Sequence, residues 1–412
     1  MQYNPAFVEY RNILSDAEKE RLHGFAAKFS LARFKEDARN YEETMVDFVY
    51  TSAKIEGNTY DRIDTDNLLR LGVTAGGKKY SDALMLINLR NGFERVMLTE
   101  STTKLDHDYL CNLHKVVMRD LLPAHEQGIV RTSAVNIGAS TYDPPADAGR
   151  LRTEIRFILP EAEKYDDPFE RAIYLHCNLA YLQYFRDGNK RTSRLMQTAA
   201  LVQGGKLPML FNDALIESYK RATVNYYETG SYAPYVKFFK DSYEITVDKM
   251  LGEPSPKLSA YETEEFQRRV AYLPKLEKDA GAAYTFWLLA KEAMDAAGSP
   301  ESVNWPDVER RAIVASIAEH GQEPKEVASV ICRHSPGVTS NEKRQAILQD
   351  IDWLAADLRT QFAKKQLGLV FNALVQNTGF IYTDGKGDPA LQKNIFKLAR
   401  RVGREDDLLS RK

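Results

Sequence analysis

Apolar residues recur at helical spacing along most of this chain, and a single segment, Val130–Ala146, alternates apolar and polar instead. That contrast constrains the fold more than any other feature, because periods of 3.6 and 2 residues demand different backbones. Ser15-Asp16-Ala17-Glu18 is a capping box with Leu14 ahead of it as a staple, and it opens an amphipathic stretch to about Phe34. Further helices are expected from about Tyr41 to Ile55 (stopped by Gly57-Asn58), Ser81 to Leu98, Tyr109 to Leu121, onward from about Leu151, Pro168 to Phe185 and Asn189 to Gln203. The alternating segment ends in Pro144-Pro145 and reads as a short β-hairpin on a helical body. The expected fold class is mainly α.

At 412 residues the chain is long enough for two or three domains. Glu253-Pro254-Ser255-Pro256-Lys257 is the strongest linker signal. The expected division is N-terminal helices over 1–60, a core over 61–252, a linker over 253–262, a helical domain over 263–366 and a tail over 367–412. In the helical domain Pro306 marks a helix start, Gly321 a stop, and Thr339-x-x-Glu342 a capping box before a helix to about Lys365. Asp307–Arg333 has helix-turn-helix spacing but five acids against four bases, which favours an αα-hairpin over a DNA-reading module. In the tail, Lys393, Lys397, Arg400, Arg401 and Arg404 line one side of an amphipathic stretch that docks either on its own protein or on an anionic surface.

Composition excludes several classes. With 43% hydrophobic and 28% charged residues and a net charge of −2, the chain is not a polyelectrolyte built to coat nucleic acid. No run of about 18 apolar residues is present, so no membrane span is expected. The start has no basic segment followed by an apolar one, and Cys111, Cys177 and Cys332 are scattered without a CxxC, so a reducing, cytoplasmic setting is expected.

The chemistry concentrates in LQYFRDGNKRTSRLM, Leu182–Met196. Asp187-Gly188-Asn189 is turn chemistry, and a helix is expected to begin behind it. A helix N-terminus offers unpaired N–H groups and partial positive charge, an anion site. Arg191 and Arg194, three apart, would share a face of its first turns, and guanidinium groups bind phosphate bidentately. An acid at the mouth, Asp187, can hold Mg²⁺ against those phosphates. These residue types alone leave two readings: a cradle for a Mg-nucleotide, or an exposed basic helix start with Asp187 as its N-cap.

The order Phe185, Asp187, Gly188, Asn189, Arg191, Arg194 resembles the signature of the Fic family. TSAKIEGN (Thr51–Asn58) looks like the inhibitory motif of that family through Ser52, Glu56 and Gly57, and VRTSAVNIGASTYDPP looks like its flap. Together the three segments cover about residues 40–250. The resemblance implies a Fic-fold helical bundle with a short β-hairpin flap, followed by a C-terminal helical domain. It implies transfer of AMP from ATP, with Mg²⁺, to a Tyr, Ser or Thr hydroxyl of a target protein. Asp187 would hold the metal. Gly188, Asn189, Lys190, Arg191 and Arg194 would bind nucleotide, and Asn189 and Arg191 would also serve catalysis. Val135, Asn136, Ile137 and Gly138 of the flap would dock the target by strand addition. Glu56 would compete in cis with the γ-phosphate for Arg194. The resemblance leaves the oligomeric state, a homo-oligomer included, open.

Two departures matter. Gln183 stands where the family's general base, a histidine, would be, and an amide is not a base near neutral pH; losing such a base costs about 10²–10⁴ in rate. His176, seven residues earlier on the same helix, is displaced by about 10 Å along the axis and reads as a packed residue. Lys190 replaces a glycine; Doc relatives with lysine there transfer phosphate instead. The alternatives are therefore a pseudoenzyme that binds nucleotide or peptide, or a Doc-like phosphotransferase.

Overall fold

The computed structural model of the chain describes residues 2–347 apart from Gly76, Gly138, Ala139, Gly321, Asn341 and Gln345. It divides into two compact units, Met1–Tyr261 and Glu262–Lys412. The helices of the first unit are α1 (Asp16–Ala26), α2 (Leu31–Glu36), α3 (Ala38–Ile55), α4 (Arg62–Asp66), α5 (Tyr80–Met97), α6 (His107–Val117), α7 (Ala148–Glu163), α8 (Pro168–Leu182), α9 (Asn189–Gln203), α10 (Ile216–Thr229) and α11 (Ala233–Leu251). The boundary between the units falls within α12 (Pro256–Tyr272), and α13 (Ala282–Ala297), α14 (Trp305–His320) and α15 (Pro324–His334) follow.

Local capping signals start these helices, α3 at Ala38 rather than about Tyr41 and α7 at Ala148 rather than about Leu151. The Ser15–Glu18 capping box forms, with both reciprocal hydrogen bonds present. Its helix breaks after Ala26, and Ser30 caps a separate α2 by accepting the Arg33 N–H. Asp37 caps α3 through the Asn40 N–H, and Asp167 caps α8 through the Phe169 and Glu170 N–H groups, with Pro168 at the first helical position.

The α8–α9 hairpin is the centre of the first unit. α9 packs against α5 and α6, α8 against α7, α10 and α11, and α3 against α5. Both central helices are buried along almost their whole length, as befits helices that neighbours cover on all sides. Residues ahead of α1 lie across this core: the Tyr174 and Tyr226 hydroxyls donate to the carbonyls of Val8 and Phe7.

In the second unit α13 packs on α14 and α15, around buried Phe286, Trp305, Ile313 and Ile331. Asp307–Arg333 is thus a helix pair within a helical unit. The Lys343 N–H is accepted by Ser340 rather than Thr339, so the cap lies one residue later than the capping box expected. The rest of the helix expected to Lys365, the basic stretch Leu391–Arg404, Gly321 and Gly138 lie outside the described residues. Of the 253–262 segment, Pro256 onward is already helical.

The hairpin expected over Val130–Ala146 does not form a ladder among the described residues. The strand-like pairing there is one isolated bridge, Gln2 with Asp143. A side chain takes the acceptors a ladder would use: Arg131 Nη1 donates to the Ser133 carbonyl at 2.6 Å, and Nη2 donates to the Pro145 carbonyl. Pro144 and Pro145 have no N–H to return. No helix among the described residues is long and apolar enough to cross a membrane.

Candidate active site

The site is built on the turn between α8 and α9. Helix α8 stops at Leu182, three residues before the expected Phe185, because Gln183 adopts φ 51° and ψ 52°. A left-handed non-glycine residue costs about 1–3 kcal/mol and persists only when its surroundings over-determine it. Here they do. Gln183 Nε2 donates to the Ala180 carbonyl at 2.7 Å, its Oε1 accepts from Asn189 Nδ2 at 3.2 Å, and its carbonyl accepts from Arg131 Nε at 2.6 Å. Asn189 also closes the loop, taking the Phe185 N–H on Oδ1 at 2.9 Å and giving Nδ2 to the Phe185 carbonyl at 2.7 Å.

Gly188 has φ +74°, and a Cβ there would lie 2.5 Å from Met118 Sδ. Both backbone and space therefore require glycine. Gly188 is the N-cap of α9, and no side chain caps the helix, so its first-turn N–H groups have no intrahelical acceptor. The reading of Asp187 as N-cap is thereby corrected. Its carboxylate accepts from the Gly188 N–H at 2.6 Å and from Arg191 Nη2 at 2.9 Å. Burial would raise the Asp187 carboxyl, but the Arg191 charge and these hydrogen bonds hold it below its ordinary range.

The helix start is not an exposed basic surface either, since Arg191 and Arg194 are buried. Arg191 Nε and Nη1 find no acceptor among the described residues, an uncommon state for buried guanidinium donors. Arg194, by contrast, is fully enclosed and engaged. Nε donates to Ser52 Oγ at 2.7 Å, Nη1 to Tyr219 Oη at 3.1 Å, and Nη2 to the Ser52 carbonyl and to Glu56 Oε1, both at 3.0 Å. Glu56 Oε2 lies 3.7 Å from Lys190 Nζ. Burial pushes the Glu56 carboxyl up, yet the charges of Arg194, Lys190 and Arg191 outweigh it and hold it below its ordinary range.

Helix α3 delivers this carboxylate. Ser52 and Glu56 are four apart and so share a face. Gly57, at φ +86°, ends the helix directly behind Glu56, with Gly57 N–H on the Lys54 carbonyl and Asn58 N–H on the Ala53 carbonyl. Phe48, Val49 and Ala53 of α3 are buried, and Lys54 ties the helix to Asp213 at 2.7 Å.

Three residues that carried no motif complete the surroundings. Tyr219 of α10 accepts from Arg194 Nη1 at 3.1 Å, and His176 Nε2 lies 3.1 Å from the same hydroxyl. Arg131 ties the flap to Gln183. His114 lies under the loop: its Nδ1 accepts the Gly128 N–H at 2.8 Å, so Nε2 carries the proton and donates to the Asp187 carbonyl at 2.9 Å. Its ring stacks on Phe185 at 3.7 Å, and burial pushes its pKa down to about 4. The only sequence hints were a lone arginine in the alternating segment and a histidine upstream of it; Tyr219 had none.

On the flap, Val135 and Ile137 are half-buried and Asn136 is exposed. The backbones of Ala134–Asn136 pair with no strand among the described residues. No cluster of three or more His, Cys, Asp or Glu side chains is arranged to hold a metal among the described residues; one carboxylate, Asp187, sits at the cradle.

Residues 104–201, which contain both the flap and the Leu182–Met196 loop, match the Fic/DOC family model. Protein adenylyltransferase fic-1 of Caenorhabditis elegans is 25% identical over 218 residues, 52% of this chain and 42% of that protein. Protein adenylyltransferase Fic of Drosophila persimilis is 26% identical over 275 residues, 65% of this chain and 50% of that protein. The chain thus spans about half the length of the curated relatives it matches. A solved structure of Fic-1 (residues 134–508) from C. elegans has a TM-score of 0.49 and 21% identity over 57% of this chain and 72% of that one. The segment that builds the cradle, within residues 104–201, thus matches the Fic/DOC family domain.

Proposed function

We propose that the first unit is a nucleotidyl transferase of Fic type, which passes AMP from ATP to an oxygen of a target protein and is restrained in cis by Glu56. One observation carries the reading: a buried Arg191 guanidinium with two unpartnered donors stands beside an uncapped helix N-terminus. Both call for an oxyanion with several acceptors, and a polyphosphate supplies them.

The residues fit a Mg²⁺-nucleotide. Mg²⁺ is commonly held by one or two carboxylates plus phosphates and waters, and Asp187 is the carboxylate that would serve, on exchanging its Arg191 contact. Bound there, the ion would neutralise charge on the phosphates. Gly188, Asn189 and the following amides would take phosphate oxygens, Arg191 would give its free donors, and Lys190 and Arg194 would reach the terminal phosphate. That last contact requires Glu56 to leave, because its carboxylate now accepts from Arg194 Nη2 at 3.0 Å and lies 3.7 Å from Lys190 Nζ. Half-buried Val135 and Ile137 would seat an extended target segment beside the loop.

On the Tyr, Ser or Thr hydroxyl that the family resemblance implies, transfer would be slow, since the Gln183 amide accepts no proton. The same side chain favours a second reading, a pseudoenzyme that binds nucleotide without transfer: its amide is committed to Ala180 and Asn189.

The test is to incubate wild type, Glu56→Gly and Glu56→Gly/Gln183→His with Mg²⁺ and ATP labelled at the α- or γ-phosphate. Transfer of α-label supports nucleotidyl transfer. Transfer of γ-label alone means phosphotransfer, and retention without transfer means the pseudoenzyme. Failure of all three proteins to retain nucleotide would refute the cradle itself.

A further inference from the structure

Lys115 of α6 and Arg152 and Arg156 of α7 are exposed, and no carboxylate lies within ion-pair reach of the three among the described residues. Arg152 and Arg156 stand four apart on one face of α7, where like charges repel. The same helix answers Arg150 with Glu154 at 3.7 Å, so its arginines are treated in two ways. A face that needs only to stay soluble is served by interspersed signs.

These cations gather around Tyr184, the residue after Gln183. Burial and the Cys111 thiol raise the Tyr184 hydroxyl above its ordinary value, and the Arg152 and Arg156 charges pull it back. From α6, which packs on α7, His107 Nε2 lies 3.1 Å from that hydroxyl and 3.4 Å from Cys111 Sγ. The Lys115 charge acts on the same thiol. Its stem lies against the chain, since a Cβ on Gly128 would come within 2.8 Å of Lys115 Cγ and 2.9 Å of Cε. The acids of the two helices are engaged or stand apart. Asp106 accepts the Tyr109 N–H, Glu154 takes Arg150 and the Tyr3 hydroxyl, and Asp108 lies 3.8 Å from His107 Nδ1. Of the acids at the flap, Asp143 faces Arg131, and Glu228 accepts from Ser140 Oγ at 2.9 Å. The surface is therefore cationic along α7 and mixed only at the start of α6.

This surface adjoins the flap. The Arg131 N–H donates to the Tyr184 carbonyl at 3.1 Å, so the flap begins at the ring these cations surround. From Arg131 to Val135 is four residues, about 13 Å of extended chain. Ile129, two residues ahead of Arg131, is 49% exposed and adds an apolar contact. We propose that the Lys115–Arg152–Arg156 surface docks an acidic segment of the target protein, flanking the residue that the flap presents to the loop. That the segment belongs to a substrate rests on the nucleotidyl-transfer reading above; the charge of the surface does not. The spacing fits such a partner. Arg152 and Arg156 are about 6 Å apart along the helix axis, close to the roughly 6.6 Å between alternate residues of an extended strand. Guanidinium groups take carboxylates bidentately, and a row of such contacts sets register and encounter rate. Nucleic acid fits less well, because the Tyr184 ring is buried and offers no face on which a base could stack.

The probe is a fluorescein-labelled peptide with a central tyrosine, a four-glycine spacer on either side and four glutamates beyond each spacer, so that either strand direction is served. A second peptide carries glutamine in place of glutamate. Binding to the full chain is read by fluorescence anisotropy. Wild type is expected to bind the glutamate peptide about tenfold more tightly than the glutamine peptide, or about 1.4 kcal/mol, which a few exposed ion pairs supply. The difference should fade as salt is raised. Arg152→Glu/Arg156→Glu should abolish the preference. Lys35→Glu/Arg39→Glu, the same change of charge at exposed residues of α2 and α3, should keep it. Equal binding of the two peptides, or equal loss in both variants, overturns the proposal. So does tighter binding of a single-stranded oligonucleotide or of phosphatidylserine vesicles that the α7 variant loses, since the partner would then not be a protein segment. In the Glu56→Gly/Gln183→His background, with Mg²⁺ and α-labelled ATP, the glutamate peptide should show a KM about tenfold below that of the glutamine peptide, with kcat little changed. The α7 charge reversal should erase that difference. Label transfer with equal KM values overturns the docking. Absence of transfer with the binding preference intact refutes the nucleotidyl-transfer reading and leaves the acidic docking standing.

Discussion

Replacing Glu56 tests how strongly the carboxylate competes with nucleotide, and the structure sets the size of the effect. Glu56 accepts one charge-assisted hydrogen bond from Arg194 at 3.0 Å inside a closed environment. Such a bond is worth about 1.5–3 kcal/mol. The contact to Lys190 spans 3.7 Å to a half-exposed side chain, so screening limits it to about 0.5 kcal/mol or less. A total near 2 kcal/mol must be given up before a γ-phosphate can take the same donors. At 1.4 kcal/mol per factor of ten, Glu56→Gly should bind Mg²⁺ with a non-hydrolysable ATP analogue about 30-fold more tightly than wild type. Glu56→Gln keeps a hydrogen-bond acceptor but no charge and should fall between the two. Titration calorimetry of the three proteins gives the ratio. The substituted proteins should also melt earlier than wild type, and recover when nucleotide reaches about 100 times its dissociation constant, which supplies about 2.7 kcal/mol. Because the folded pKa of Glu56 is depressed, its contribution is complete above the ordinary carboxylate value of about 4.3 and is lost only as pH falls through the folded value. The affinity ratio should therefore hold constant from pH 8 to 6. Equal dissociation constants for all three folded proteins, or a ratio that collapses within that window, would refute the competition.

Other outcomes follow from the same contacts. Gly188→Ala combines a left-handed backbone with a Cβ 2.5 Å from Met118 Sδ, and should destabilise the first unit by about 2–4 kcal/mol in denaturant unfolding; adding Met118→Ala should recover the packing part but not the backbone part. His114 is depressed to about 4, so its neutral form favours folding above pH 6.5, and that support is lost as pH falls toward 4, up to about 3 kcal/mol at 1.36 per unit. His114→Gln should lower stability at pH 7 yet flatten the melting-temperature profile between pH 6.5 and 4. Glu309 has the opposite sign: burial raises it to about 7, against the hydrogen bond donated by Ser335 Oγ, which lowers it. Its stabilising contribution is present below the ordinary carboxylate value and fades as pH rises through about 7. Glu309→Gln should therefore stabilise the second unit most clearly at pH 8, read from its unfolding transition.

The helical class, the Ser15 cap, the start of α9 at Asn189 and the cluster Asp187–Arg194 were legible in the chain itself, because each depends on neighbours within four residues. The same holds for Ser52 and Glu56 sharing a face. What the chain could not state was which surface that face would meet. Only packing brings Glu56, 138 residues away in sequence, to within 3.0 Å of Arg194. Packing likewise buries the two arginines, which local pattern left equally readable as an exposed basic turn. The alternation of Val130–Ala146 forms no ladder among the described residues for a related reason. Alternation predicts a strand only if a partner supplies hydrogen bonds, and here the Arg131 side chain takes the carbonyls first. Gln183 falls between the two kinds of knowledge. Its residue type alone removes the base, since no environment makes an amide a proton acceptor near neutral pH. Whether another group stands in for it is a tertiary question: packing ties up both nitrogens of His114 and encloses His176 behind Tyr219, and it brings His107 to the Tyr184 hydroxyl at 3.1 Å.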